Sequence, residues 1–247
     1  MKLILLRHGE SQWNLENRFT GWKDVSLTET GIAEASFSGN QLLKNNFQVK
    51  SVYTSILNRA TETTDIVTDI INFPKEDIQY DWRLNERHYG ALQGLNKSET
   101  AAKYGEEQVH IWRRSYDISP PLLEKNDERH PKFNDKFKNI QSKLPVGESL
   151  KDVINRLESF WAEYVNHITK SRGNHLIIAH SNSLRAIIKI LDKLSDEQIT
   201  SVNIPTGVPL VYTLGLNLAV VDQEYLMNND QLKEKQEIVA NQGKAAK

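Results

Sequence analysis

The chain of 247 residues contains no cysteine, which excludes disulfides, thiolate metal sites and a cysteine nucleophile. Charge of one sign is also missing: 31 basic residues meet 32 acidic ones, for a formal net charge of −1. No global field therefore recruits nucleic acid or an anionic membrane, and local clusters matter more than the total. No apolar run approaches the roughly 20 residues of a membrane span. Met1-Lys2 before residues 3–6 superficially suggests a secretion leader, but the apolar run is too short and Arg7 ends it. No internal repeat, low-complexity tract or zinc-site spacing is present. These absences predict a soluble, cytoplasmic protein with neither a nucleic-acid nor a membrane partner, and no metal.

What is present begins at the second residue. Leu3-Ile4-Leu5-Leu6 reads as a strand buried on both faces, as in a parallel sheet. It runs straight into Arg7-His8-Gly9. Residues 175–179 repeat this layout and end at His180, followed by a helical pattern. In open α/β sheets ligands bind beyond the carboxyl ends of the strands, so two parallel strands would bring His8 and His180 together.

Residues 10–24 read as an ordered loop, and Thr28 as the cap of a helix to about residue 45, weakened by Gly31 and Gly39. Residues 49–54 predict a strand, 56–71 a helix, and 79–82 a third strand that delivers Glu86 to the same edge. Residues 95–145 read as a lid-like insertion with a helix near 106–116. A structureless loop of that length would be unusual. A helix over 148–169, another over 184–191, and a capping box from Ser195 to Gln198 follow. Residues 208–214 and 219–226 predict an antiparallel pair at the sheet edge. The order implies one domain over 1–247: an α/β three-layer sandwich whose mostly parallel central sheet is flanked by helices. The polar tail, residues 238–247, reads as a mobile segment that closes over an anionic ligand.

A neutral imidazole is a competent nucleophile toward phosphorus. Arg7 and Arg59 would supply the planar donors that a transferring phosphoryl group needs. His180 and the amides of the helix behind it would add to them. Glu86 is placed to protonate a leaving alkoxide. Histidines 88, 110, 130, 167 and 175 read as structural or surface residues.

The stretch Leu6-Arg7-His8-Gly9-Glu10-Ser11-Gln12-Trp13-Asn14 resembles the signature of the histidine phosphatase superfamily, and within it the cofactor-dependent phosphoglycerate mutase branch. Further likeness lies in Asn17-Arg18-Phe19-Thr20-Gly21-Trp22, in the run from Leu84 to Lys97, in Trp112-Arg113-Arg114, in the run from Ile204 to Tyr212, and in Val239-Ala240-Asn241-Gln242-Gly243-Lys244. The resemblance implies interconversion of 3-phosphoglycerate and 2-phosphoglycerate, primed by 2,3-bisphosphoglycerate. His8 would be phosphorylated, Glu86 would move the proton, and His180 would stabilise the transition state. Phosphate and carboxylate contacts would map onto Arg7, Ser11, Asn14, Thr20, Gly21, Arg59, Arg87, Tyr89, Lys97, Arg113, Arg114, Ser181 and Asn182. Small-molecule phosphoglycerates would be the partners, and a homo-oligomer stays open. Two alternatives remain: a histidine phosphatase acting on small phosphorylated metabolites, and a catalytically silent binder of such metabolites. One departure stands out. Ser181 replaces the family's usual glycine, which would admit close backbone approach to the ligand and a dihedral that serine disfavours.

Overall fold

The computed structural model describes residues 1–140 and 142–244. The first apolar run forms β1 (Lys2–Arg7), with residues 3–7 all buried. Its neighbours are β4 (Asn174–Ala179), in parallel register from Lys2↔Asn174 to Arg7↔Ala179, and β5 (Leu210–Leu214), antiparallel. With β2 (Val49–Thr54), β3 (Ile78–Tyr80) and β6 (Val220–Tyr225) the sheet order is β3-β2-β4-β1-β5-β6. Strands β1 to β4 run parallel, and β5 and β6 form the predicted antiparallel pair at one edge.

Side chains of one strand alternate between the two faces, and the two halves of the core follow that rule. Leu3 and Leu5 join Ile177 against α6 (Leu150–Ser171) and α7 (Ser181–Asp192). Ile4 and Leu6 join Leu176, Ile178 and Val52 against Leu42 of α2 (Glu29–Lys44) and Val67 of α3 (Asn58–Ile70). Helices therefore cover both faces of a mostly parallel sheet, the sandwich expected. Among the described residues no helix is long and apolar enough to cross a membrane.

Local chemistry sets the helix starts. Thr28 caps α2, its hydroxyl accepting from Gly31 N at 3.0 Å, and Ser149 with Asp152 boxes the start of α6. Ser195 and Gln198 form their expected reciprocal bonds at 2.7 and 3.1 Å, closing a single 3₁₀ turn, Gln198–Ser201.

Four readings need correction. The loop after β1 contains a short helix, α1 (Gln12–Leu15), boxed by Ser11 and Asn14. The third strand ends at Tyr80, because Asp81 accepts from Arg83 N and caps a 3₁₀ turn, Trp82–Leu84. The insertion carries α4 (Lys97–Tyr104) before α5 (Glu106–Arg114), started by Asn96, whose side chain accepts from Ser98 N and Glu99 N. Helix α7 begins at Ser181 rather than 184, since His180 is its N-cap. A last helix, α8 (Asn229–Asn241), leads into the tail, of which residues 245–247 lie outside the described residues.

Candidate functional site

The β1–β4 register places His8 and His180 side by side, with ring centroids 5.0 Å apart. His8 is 2% exposed and its Nδ1 lies 2.7 Å from Gly9 O. A carbonyl only accepts, so Nδ1 carries the hydrogen and the lone pair sits on Nε2. Arg59 Nε approaches that lone pair at 3.3 Å. The rest of its guanidinium is anchored on Gly21 O and Lys23 O, at 2.9 and 3.1 Å. Burial first, then Arg59 and Arg7, holds the His8 pKa well below the ordinary histidine value. The result is a neutral ring with its nucleophilic nitrogen beside a fixed cation. His180 is pushed the same way, by burial, Arg59 and His8. Its Nε2 lies 2.6 Å from Ser55 Oγ. The loop behind His8 fits only without side chains: a Cβ on Gly9 would stand 2.2 Å from Gly31 O of α2.

Glu86 follows the 3₁₀ turn after β3, and its carbonyl accepts from Trp22 Nε1 at 2.6 Å. Its Oε1 accepts from Arg87 N, Asn182 Nδ2 and Asn182 N at 2.7, 2.9 and 3.2 Å. The last is an amide of the α7 N-terminus, whose partial positive charge suits a carboxylate oxygen. A buried ion pair braces this loop from outside: Arg156 meets Glu148 at 2.9 Å and reaches Arg83 O at 2.6 Å.

Across the cavity lie Lys97, the first residue of α4, and Arg113 and Arg114, the last two of α5. All three are buried. Burial and neighbouring cations lower Lys97 well below the usual lysine value and bring Arg113 down to about 9, and burial with Arg7 and Arg87 brings Arg114 to about 10. The tail supplies acceptors here. Val239 O accepts from Arg114 at 3.3 Å and Arg113 at 3.5 Å, and Gln242 Oε1 accepts from Lys97 at 3.3 Å. Arg87 stacks over the Tyr89 ring at 4.7 Å. Burial pushes the Tyr89 phenol up, but Arg87 and Arg113 outweigh it and the net shift is downward. The cavity between them is lined by seven cationic side chains and one carboxylate, Glu86. Buried N–H groups of Arg7 and Arg185, both lining the cavity, have no partner among the described residues. Buried donors without partners are costly. Their concentration around one cavity marks a place for a multiply charged anion.

Most residues expected at the site meet here: Arg7, His8, Asn14, Thr20, Gly21, Arg59, Glu86, Tyr89, Lys97, Arg113, Arg114, Ser181 and Asn182 line the cavity. His180 stands against His8. Ser11 and Arg87 are set back. The Ser11 hydroxyl is bonded to Asn14 Oδ1 at 2.9 Å, and Arg87 lies behind Tyr89. Ser181 departs from expectation in one respect. It is the first residue of α7 and is not among the residues with positive φ, so serine meets no backbone strain there. Two lining residues, Arg18 and Arg185, were not foreseen, while Val239 and Gln242 belong to the tail expected to close over an anion, though neither was named as a contact. Val239 contributes a main-chain oxygen, which no side-chain pattern announces.

The family model described as histidine phosphatase superfamily (branch 1) matches residues 3–128 and 123–213. Among solved structures, the chain is similar to a mycobacterial glucosyl-3-phosphoglycerate phosphatase in complex with VO3, with 21% identity, 92% of this chain and 98% of that chain covered, and a TM-score of 0.70. It is likewise similar to the alpha-ribazole phosphatase from Shigella flexneri (22% identity, 90% and 95% covered, TM-score 0.65). A third is a putative alpha-ribazole-5'-P phosphatase from Escherichia coli (20% identity, 92% and 96% covered, TM-score 0.64). At these identities the likeness to solved structures carries the fold alone.

Proposed function

Since the chain belongs to the histidine phosphatase superfamily (branch 1), we propose that it moves phosphoryl groups through a phosphohistidine at His8. The reaction proposed is the interconversion of 3-phosphoglycerate and 2-phosphoglycerate, primed by 2,3-bisphosphoglycerate. The observation that carries the mutase reading is the second group of buried cations, Lys97, Arg113 and Arg114, facing the histidine pair across one small cavity. A bare phosphatase needs one anion site. A mutase must hold an intermediate with a phosphate at either end, and therefore needs two.

The chemistry follows from the geometry. The His8 Nε2 lone pair attacks phosphorus, Arg7, Arg59 and His180 stabilise the charge on the equatorial oxygens, and Glu86 gives the leaving oxygen its proton. The same steps reversed return the phosphoryl group to the other hydroxyl. The cluster of cationic side chains lining the cavity fits a bisphosphorylated primer, which supplies the phosphoryl group that loads His8. Val239 and Gln242 bring the tail against Lys97, Arg113 and Arg114, where it would exclude water and favour transfer over hydrolysis.

A second reading has its own support. The similar solved structures include a glucosyl-3-phosphoglycerate phosphatase and an alpha-ribazole phosphatase, so water in place of phosphoglycerate as acceptor is the alternative. A coupled assay from 3-phosphoglycerate, with and without the primer, separates the two. The mutase forms 2-phosphoglycerate faster with primer and carries an acid-labile, base-stable phosphate. His8→Ala lowers turnover by about 10⁴-fold or more and abolishes the label. Release of inorganic phosphate with no 2-phosphoglycerate would establish the phosphatase, and absence of any labile phosphate would leave only a binding protein.

A further inference from the structure

Arg185 sits one turn into α7 and is 1% exposed. Its Nη1 donates to Asn182 Oδ1 at 3.0 Å, while Nη2 donates to Ile199 O at 2.7 Å and Arg114 O at 3.2 Å. Arginine offers only donors, so the amide atom facing it must be oxygen. That contact settles an orientation otherwise open for an asparagine. The Asn182 amino group must then face the other way, toward Glu86 Oε1 at 2.9 Å. The amides of Asn182 and Arg87 reach the same oxygen at 3.2 and 2.7 Å. Three donors converge on Oε1, which can only accept. No hydrogen bond reaches Oε2 among the described residues, and the carboxyl group lines the cavity.

The geometry points to Arg185 as a positioning residue that acts through Asn182 to give the Glu86 carboxyl a direction, Oε1 held as acceptor and Oε2 left to carry the proton. This rests on the reading of Glu86 as the proton donor. In the transfer step the His8 Nε2 lone pair forms the N–P bond and the P–O bond to the leaving group breaks. The electron pair stays on the leaving oxygen, which takes the proton from Oε2 and leaves Glu86 a carboxylate. Without Arg185 the Asn182 amide is free to turn its carbonyl toward Oε1. The Glu86 proton would then be drawn to Oε1, away from the leaving oxygen.

The test compares two simple monoesters as donors to His8 in the full chain. One is 2,4-dinitrophenyl phosphate, whose leaving oxygen needs no proton, and the other is an alkyl phosphate, whose leaving oxygen does. Arg185→Met should slow the alkyl ester about 30- to 100-fold, within the range of lost general-acid catalysis, with KM within about threefold. The loss on the aryl ester should be at least about tenfold smaller. Asn182→Asp, nearly isosteric and without the donor, should show the same split and decides the matter if Arg185→Met does not fold. Arg185→Lys, which keeps a donor, should recover part of the alkyl rate. Equal losses on both esters would overturn the positioning role while leaving the phosphohistidine reading intact. A wild-type protein labelled at His8 by neither ester would sink both.

Discussion

The two ends of the cavity are built differently. At the histidine end each group is locked from behind by the fold itself. His8 is fixed by Gly9 O, Arg59 by the carbonyls of Gly21 and Lys23, and His180 by Ser55. Those partners sit just past β1 and β2 and in the loop before α2. At the far end Lys97 and Arg113 take acceptors from Gln242 and Val239, residues of the tail, and Arg114 shares that carbonyl while also bonding Asn203. One end is preorganised, and the other is completed by a segment more than a hundred residues downstream. Under the proposed function, chemistry would fall to the rigid end and the choice of acceptor to the end that the tail completes.

Four measurements break or sharpen that contrast. The largest effect is expected at the far end. Lys97→Met or Arg113→Met should lower kcat/KM for phosphoglycerates by about 10²- to 10³-fold, some 3–4 kcal/mol, by leaving substrate charge unpaired. Aryl phosphates without a carboxylate should lose less than about fivefold in the same variants. Equal losses would mean that the two ends do not act separately. Next, deleting residues 238–247 should cut the ratio of transfer to hydrolysis about tenfold, because water then reaches phosphorylated His8. An unchanged ratio removes the tail from the mechanism.

A separate effect, on stability rather than on turnover, is expected in acid. Burial first, then His130, Arg156 and Arg129, brings His88 from 6.5 down to about 3, and His8 and His180 shift in the same direction. As pH falls below 6.5 the unfolded chain takes these protons and the folded one does not. Stability is therefore complete above that value and declines toward pH 3, by about 1.4 kcal/mol per pH unit for His88, with His8 and His180 acting in the same direction. Denaturant titrations at pH 7 and pH 5 measure it, and His88→Gln should flatten the slope. The smallest effect is at Ser181, where serine meets no backbone strain. Ser181→Gly should change kcat/KM less than about threefold, well under 1 kcal/mol.

The fold was legible where one periodicity governed a segment. Leu3 to Leu6 could only be a doubly buried strand, and the apolar repeat of α6 could only be a packed helix. Helix α4 escaped because its apolar face is narrow, although Asn96 before Ser98 and Glu99 was a usable start signal. Within the site, Arg7, His8 and His180 were readable because they end strands. Glu86 could be placed by the third strand that delivers it, whereas Lys97 and Arg113 carried no local mark and only the resemblance gave them a role. Arg185 and Arg18 were passed over because an arginine on a helix or loop is usually solvated. Only packing shows that Arg185 is sealed between Asn182, Ile199 and Arg114.

The placement of β1 bears on biosynthesis. The strand that carries His8 leaves the ribosome well before its partner Asn174–Ala179, which follows some 170 residues later, and β5 later still. At about 5–20 residues per second, four greasy side chains wait on the order of ten to thirty seconds for a neighbour. During that interval no reactive centre exists, and the nascent segment must be shielded by transient helpers or by its own later helices. Slow translation of the first half should accordingly lower the yield of soluble enzyme more than slow translation of the last quarter.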